Sequence, residues 1–212
     1  MVKKNWAHAE RVALCDLLTE TGPDAPTLCE GWTTGDLAAH LVIRERRPDA
    51  GPGILIAPLA GYTERVQRRV KKATPFADLV TLLRGGPPAW SPMGLPGMDA
   101  AANTVEYFVH HEDVRRAQPG WEPRELHDDL LEQLWRRLRM SRLVLRRVPV
   151  EITLVEPGGR TLRVTKGGKR VRVRGPVAEL ALWTLGRKDA ARVDLTGEAE
   201  GINVLSQSRW RL

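Results

Sequence analysis

The sequence predicts an α+β protein in two parts, with a four-helix bundle over residues 1–147 and a small α+β domain over residues 148–212. Up to Arg147, apolar residues recur every three or four positions, as in amphipathic helices. Beyond that point they alternate with polar residues, as in strands that are buried on one face. The chain has 212 residues, of which 42% are hydrophobic, and this is enough for a substantial core.

Two well-delimited helices are predicted at the start of the bundle. Residues 5–22 carry an apolar face, and Gly22 is a typical helix stop. The second helix begins at Thr33, which is followed three residues later by Asp36 in the arrangement of a capping box. Pro48 ends this helix because proline cannot donate the backbone hydrogen bond that a continuing helix needs.

Further helices are expected along the remainder of the first part. They cover residues 59–72, 75–83 and 102–118, and a single long helix is expected over residues 124–148. Residues 85–99 contain several prolines and predict a long loop instead. A loop of this length is either functional or a packed crossover between helices, and the sequence favours neither interpretation.

The C-terminal part shows the signals of a small sheet with a helix. Three alternating runs within residues 150–174 are separated by glycine-rich turns, which predicts a β-meander. Residues 175–189 predict a helix with Pro176 in its first turn, and residues 191–197 predict one more strand.

The composition argues against a membrane protein and against a disulfide framework. No run of eighteen apolar residues exists, and the N-terminus lacks the apolar segment of a signal peptide, so a cytoplasmic protein is expected. The two cysteines, Cys15 and Cys29, are too few for a cysteine-only zinc site and are expected to be reduced thiols.

The formal charge of +7 and the isoelectric point near 9.9 raise the question of a nucleic-acid partner. Many basic residues of the last third alternate with apolar ones, as in residues 162–175, which is typical of the solvent-facing side of strands. No helix-turn-helix, zinc-finger or aromatic-basic motif accompanies them. Nucleic-acid binding is therefore not the favoured function.

Three side chains suggest a metal site. Glu106 and His110 are four residues apart in a predicted helix, so both can face one ion. The same spacing also occurs on solvated helix faces. His40 lies on an otherwise apolar stripe of the second helix and needs a polar partner there. That partner could be a backbone carbonyl or a carboxylate, but with Glu106 and His110 available across the bundle, metal ligation by all three is the better interpretation.

Two motifs also carry a family resemblance. Residues 29–41, CEGWTTGDLAAHL, resemble the "GW…D…AHL" motif of the DinB-like metal-binding superfamily, and residues 105–114, VEYFVHHEDV, resemble its "E-x-x-x-H-x-x-D" motif. The combination with a small C-terminal domain is similar to the mycothiol-dependent maleylpyruvate isomerase family, and closer still to an actinobacterial branch of metal-binding proteins. The resemblance implies a DinB-like bundle followed by a sterol-carrier-like α+β domain.

The resemblance also implies roles for individual residues. His40, Glu106 and His110 would bind a divalent ion with water in the open position, and Asp113 would support a ligand or the helix packing. Arg44, one turn after His40, or a residue of the C-terminal domain could hold an anionic group of a thiol or substrate. The neighbouring residues 111 and 112 would be solvated or lie between helices.

The expected chemistry follows from this ligand set. Two histidines and one glutamate with an open fourth position match catalytic zinc sites, although Ni²⁺, Fe²⁺ and Mn²⁺ also suit these donors. In the family that the chain resembles, a metal-activated small thiol, mycothiol, attacks a small electrophilic substrate. The sequence thus predicts a metal-dependent thiol transferase or isomerase, and a non-catalytic metal- or ligand-binding module is the alternative.

Overall fold

The computed structural model describes residues 4–50, 57–95 and 97–210. The α+β fold class is confirmed, with a helical N-terminal part and a small sheet near the C-terminus. None of the helices in these ranges combines the length and the apolar character that crossing a bilayer requires.

The chain divides into two compact units, Met1–Pro123 and Arg124–Leu212. This division differs from the boundary that the change of periodicity suggests at residue 147. Helix α6, Asp128–Arg137, packs against helix α8, Val177–Thr184, and therefore belongs to the second unit. An amphipathic helix shows which of its faces is apolar but not which partner will cover that face.

The first unit is helical. Its described helices are α1 (Trp6–Thr21), α2 (Thr34–Arg46), α3 (Ala60–Ala73), α4 (Phe76–Arg84) and α5 (Met98–Arg115). Helix α1 packs mainly on α5 and α4, whereas α2 packs on α3 and α4. The helices expected near residues 59–72 and 75–83 are confirmed to within two residues.

The helix that carries His40 is fixed at its start by the predicted capping box. The backbone N–H of Thr33 donates to the carboxylate of Asp36 at 3.0 Å, and the N–H of Asp36 donates to the Thr33 hydroxyl at 3.4 Å. Lys71 of α3 lies 2.8 Å from the same carboxylate. The N-terminus of α2 is thereby joined to a neighbouring helix, which fixes the position of the whole helix.

A core of apolar side chains holds α2 and α5 in the bundle. Its fully or almost fully buried members include Leu14, Leu18, Leu37, Leu41, Leu79, Leu83 and Tyr107. Leu37 and Leu41 flank His40 on α2, and Tyr107 follows Glu106 on α5. Because these neighbours are locked in the core, the backbone that presents the candidate ligands has a fixed position.

The segment between α4 and α5 is the irregular loop that its prolines predict. It contains one short 3₁₀ turn, Pro92–Gly94, while Pro96 lies outside the described residues. Trp90 and Leu95 expose 64% and 55% of their surface, so the loop presents apolar side chains to solvent.

The second unit begins with a broken helix. The expected single helix over residues 124–148 is wrong, because α6 is followed by a 3₁₀ turn, Leu138–Met140, and by the short helix α7, Ser141–Leu145. The Ser141 hydroxyl donates to the Leu138 carbonyl at 2.5 Å and occupies an acceptor that a continuous α-helix would use.

The sheet of this unit has four described strands in the order β2-β1-β3-β4. They are β1 (Val150–Val155), β2 (Thr161–Arg163), β3 (Lys169–Arg174) and β4 (Asp194–Gly197). The predicted meander is wrong, because β3 runs parallel to β1 and lies on the opposite side of it from β2. Strand β2 offers only three residues for pairing, whereas β1 and β3 pair over six positions.

The helix with Pro176 at its start and the last predicted strand are confirmed as α8 and β4. A further helix, α9 (Ala199–Gln207), follows β4, and the expected elements do not include it. One face of the sheet is buried through residues such as Ile152 and Val173, while the alternating arginines of β3 are exposed.

Candidate metal centre

The structure brings together the three side chains that the sequence singles out as metal ligands. His40 comes from the middle of α2, and Glu106 and His110 come from successive turns of α5. The Nε2 atoms of His110 and His40 lie 3.3 Å and 3.9 Å from Oε1 of Glu106. One donor atom from each residue lies within 4.8 Å of the other two. Both histidines are buried, and a quarter of the Glu106 side chain, 26%, is exposed.

These separations fit a single ion. Zinc ligands lie at about 2.0–2.2 Å from the metal, so two donors of a tetrahedral site are about 3.3–3.6 Å apart. The His110–Glu106 distance of 3.3 Å meets this value, and the His40–Glu106 distance of 3.9 Å is slightly longer.

Asp113 lies behind His110, where it can orient the imidazole ring. Its carboxylate is completely buried and lies 2.9 Å from Nδ1 of His110. When Nδ1 donates its proton to Asp113, Nε2 keeps a free lone pair on the side of Glu106. Histidines that bind metals usually donate their other ring N–H to a carboxylate, a backbone carbonyl or water, which fixes the tautomer and makes the ligand more basic.

Cys29 also belongs to this arrangement, although the sequence predicts only a reduced thiol at this position. Its Sγ lies 3.2 Å from Oδ2 of Asp113 and 4.0 Å from Nδ1 of His110. The backbone N–H of Leu28 donates to the carbonyl of Asp113 at 3.0 Å and thereby fixes the segment before α2 against α5. Cys29, His110 and Asp113 form a second group of possible ligand atoms on the opposite edge of the imidazole from Glu106. The position of Cys29 at the start of the CEGW motif was the available signal.

Trp32 is a second residue of the site for which the sequence predicts no role. Its ring lies over His40 with a centroid distance of 4.9 Å, and the ring of His110 lies 5.7 Å from that of His40 in an edge-on arrangement. The three rings pack side by side. Trp32 therefore restricts the rotation of the His40 ring and covers one side of it.

Arg44 lies beside the ligand group. Its Nε is 3.2 Å from Oε1 of Glu106, its guanidinium also donates to the side-chain carbonyl of Asn103, and the sulfur of Met93 lies at 3.5 Å. Asn103 is completely buried. The guanidinium is consequently held in place from two sides, next to the carboxylate that would bind the ion.

The charges of the three residues are set by opposing influences. Burial disfavours the ionised form of Glu106, but hydrogen bonds to His110 and His40 and the charge of Arg44 outweigh it and hold the pKa of this carboxyl well below its usual value. Burial is also the largest influence on His40, and it lowers the pKa of that imidazole, which favours the neutral ligand form. For His110 burial is outweighed by Asp113, Cys29 and Glu106, and its pKa is raised well above the usual value. A metal ion would therefore displace a proton from His110.

The residues next to His110 are directed elsewhere, although they are not solvated. His111 is buried, and its Nδ1 lies 2.9 Å from the carboxylate of Glu10 on α1. Glu112 is buried as well and accepts a hydrogen bond from Nε of Arg116 at 2.6 Å. The expectation that these residues lie between helices is confirmed for His111, which joins α5 to α1.

Comparison with known proteins agrees with the motifs. Residues 6–49 match the family model of the mycothiol maleylpyruvate isomerase N-terminal domain. The resemblance of this segment to the mycothiol-dependent maleylpyruvate isomerase family is thereby confirmed. The matched segment includes His40 and Arg44 and ends before Glu106 and His110, so the ligands on α5 lie outside it.

Two solved structures share the fold. One is a crystal structure of the mycothiol-dependent maleylpyruvate isomerase, with 16% sequence identity, and the other is a histidine-to-alanine mutant of that isomerase, with 14%. Each comparison covers 92% of both chains with a TM-score of 0.56. No curated protein matches the chain. At this level of identity, the likeness to the isomerase structures establishes the fold alone.

Proposed function

We propose that this protein is a metal-dependent enzyme that activates a small thiol of the mycothiol type and transfers it to, or isomerises, a small electrophilic substrate. The observation that carries the proposal is the convergence of His40, Glu106 and His110, with Asp113 bound to the far nitrogen of His110. The match of residues 6–49 to the isomerase N-terminal domain supports mycothiol as the thiol.

His40, Glu106 and His110 would hold the ion, and two imidazoles with one carboxylate favour Zn²⁺ while also suiting Ni²⁺, Fe²⁺ and Mn²⁺. An ion with an open coordination position lowers the pKa of a bound thiol or water, so that a thiol would be ionised near neutral pH. Asp113 would hold the His110 ring in the ligand tautomer once the ion has displaced a proton, and Trp32 would restrict the His40 ring.

Arg44 would bind an anionic group of the thiol or of the substrate. Its guanidinium lies next to Glu106, and guanidinium groups match the geometry of carboxylate oxygens with a rigid set of N–H donors. Only 13% of the Arg44 side chain is exposed, so a bound carboxylate would be largely withdrawn from water, where its attraction to the guanidinium is stronger.

A non-catalytic metal- or ligand-binding module would use the same three ligands. The two functions differ in whether a thiol reaches the metal. Cobalt substitution separates them, because a sulfur ligand on Co²⁺ gives a sulfur-to-metal charge-transfer band. We expect the Co²⁺ protein to develop this band when it is titrated with mycothiol, and His40→Ala to lose both the metal and the band.

His127→Ala is the matched control for that substitution, because His127 is exposed, lies in the second unit and caps helix α6. It should bind metal with unchanged stoichiometry. Co²⁺ binding without a band at any thiol concentration would favour the non-catalytic module. Full metal stoichiometry in His40→Ala would contradict the proposed ligand set.

A further inference from the structure

The second unit contains a cleft in which basic side chains gather without an acidic one. Its volume is about 270 Å³, and no aspartate or glutamate is among its lining residues. Four of those residues are cationic, namely Arg142, Arg146, Arg163 and Lys166. The apolar side chains of Val148 and Val164 also line it. The cleft lies entirely within residues 142–166 and shares no residue with the candidate metal centre.

The backbone that carries these cations is fixed by specific hydrogen bonds. Arg142, on α7, donates from Nη2 to the carbonyl of Arg163 at 3.1 Å and so joins the helix to the end of β2. The hydroxyl of Thr165 is buried, donates to the carbonyl of Val150 at 2.6 Å and accepts from the N–H of Ile152 at 2.7 Å. The cleft is therefore a preformed feature of the unit, and its wall is held by strand β1.

Several other exposed cations of the same unit lie next to carboxylates. Arg136, Arg160 and Lys169 lie 2.8 Å, 2.7 Å and 3.0 Å from the carboxylates of glutamate residues.

Within the described part of the chain, by contrast, Arg142, Arg146 and Lys166 have no carboxylate within 4.0 Å. Arg163 has only a long contact, 3.9 Å, to Glu151. Like charges in one concavity repel one another, and their field attracts small anions. A bound anion would remove this repulsion.

We propose that this cleft binds a small anion with two or more ionised oxygens, namely a phosphate monoester or a polycarboxylate. Arginine guanidinium groups bind such oxygens through paired N–H donors, and the lysine adds a point charge. The volume is below the range of about 300–1,000 Å³ that is usual for drug-sized ligands, which limits the ligand to a small molecule. Val148 and Val164 would contact a short carbon skeleton. A nucleic-acid strand fits less well, because the lining contains no aromatic side chain on which a base could stack.

Calorimetric titration of the full-length protein at low, constant ionic strength tests the proposal. The probes are inorganic phosphate and citrate, with chloride as the reference anion, and they separate a phosphate ligand from a polycarboxylate ligand. The variants are Arg146→Gln and Lys166→Gln, which remove one cleft charge each. Arg172→Gln is the matched control, because it removes the same charge from an exposed residue of β3 that does not line the cleft.

We expect saturable binding of phosphate or citrate, weakened about tenfold in Arg146→Gln and in Lys166→Gln, because one charge-assisted hydrogen bond is lost. Arg172→Gln should bind as the wild type does. The absence of saturable binding by either anion would overturn the proposal. Equal weakening in Arg172→Gln would also overturn it, because the effect would then belong to net charge. Binding of a short single-stranded oligonucleotide with no response to either small anion would assign the cations to nucleic acid instead.

Discussion

Replacement of Asp113 by asparagine tests the metal centre without removing any proposed ligand. Asparagine has nearly the same shape, but it loses the negative charge that lies 2.9 Å from Nδ1 of His110. Asp113 is completely buried, so solvent cannot replace its charge. Loss of such a carboxylate partner typically weakens metal binding by about 10–100-fold. We therefore expect Asp113→Asn to bind Zn²⁺ about 1.4–2.7 kcal/mol more weakly than the wild type.

The zinc affinity would be measured by competition with a chromophoric chelator. The stability of each apo protein would be measured separately by thermal unfolding, followed by circular dichroism. Glu112→Gln is the control, because Glu112 is a buried carboxylate on the same helix that forms ion pairs with Arg115 and Arg116. It should lower the stability of the apo protein and leave the zinc affinity of the folded protein unchanged. Equal zinc affinities of the wild type and Asp113→Asn would refute the assigned role of Asp113. An equal loss in Glu112→Gln would show that the effect arises from general damage to the helix.

Three further outcomes are expected. Burial would raise the pKa of Asp36, but the hydrogen bonds to Lys71 and Thr33 outweigh it and lower this pKa from 3.8. The ionised Asp36 carboxylate therefore stabilises the fold fully well above pH 3.8, and this stabilisation disappears as the pH falls through the lowered pKa. Asp36→Asn should therefore lower the free energy of unfolding at pH 7 by about 1 kcal/mol. Urea titrations should show this difference between variant and wild type shrinking below about pH 4, and a pH-independent difference would contradict this account. Burial raises the pKa of the Cys15 thiol to about 11, whereas Cys29 is partly exposed. Iodoacetamide should therefore label Cys29 first, as followed by mass spectrometry, and early labelling of Cys15 would contradict the packing. Leu41→Ala should lower the free energy of unfolding by about 2–5 kcal/mol, as measured by urea denaturation, and a loss below 1 kcal/mol would show that α2 is not held by this core.

Local patterns determined several features of this protein. Thr33 and Asp36 form the capping box that their spacing predicts, because that motif requires only residues within one helical turn. Glu106 and His110 share a face of α5 for the same reason, since helix geometry places positions four apart on one side. His40 on an apolar stripe of α2 indicated a buried histidine that needs a polar partner, and it lies near Glu106.

Long-range packing decided the rest. The thiol of Cys29 reaches Asp113 because the segment before α2 is hydrogen-bonded to α5, and no pattern within either segment encodes that pairing. Strand β3 has the same alternation whether it pairs with β2 or with β1, so the parallel arrangement depended on which neighbour offers the longer ladder. Helix α6 has an apolar face that could have been covered by either unit. Sequence periodicity therefore determined the elements and which of their faces are apolar. The partner of each face depends on the free energy of all long-range contacts together, so only the tertiary structure determines it.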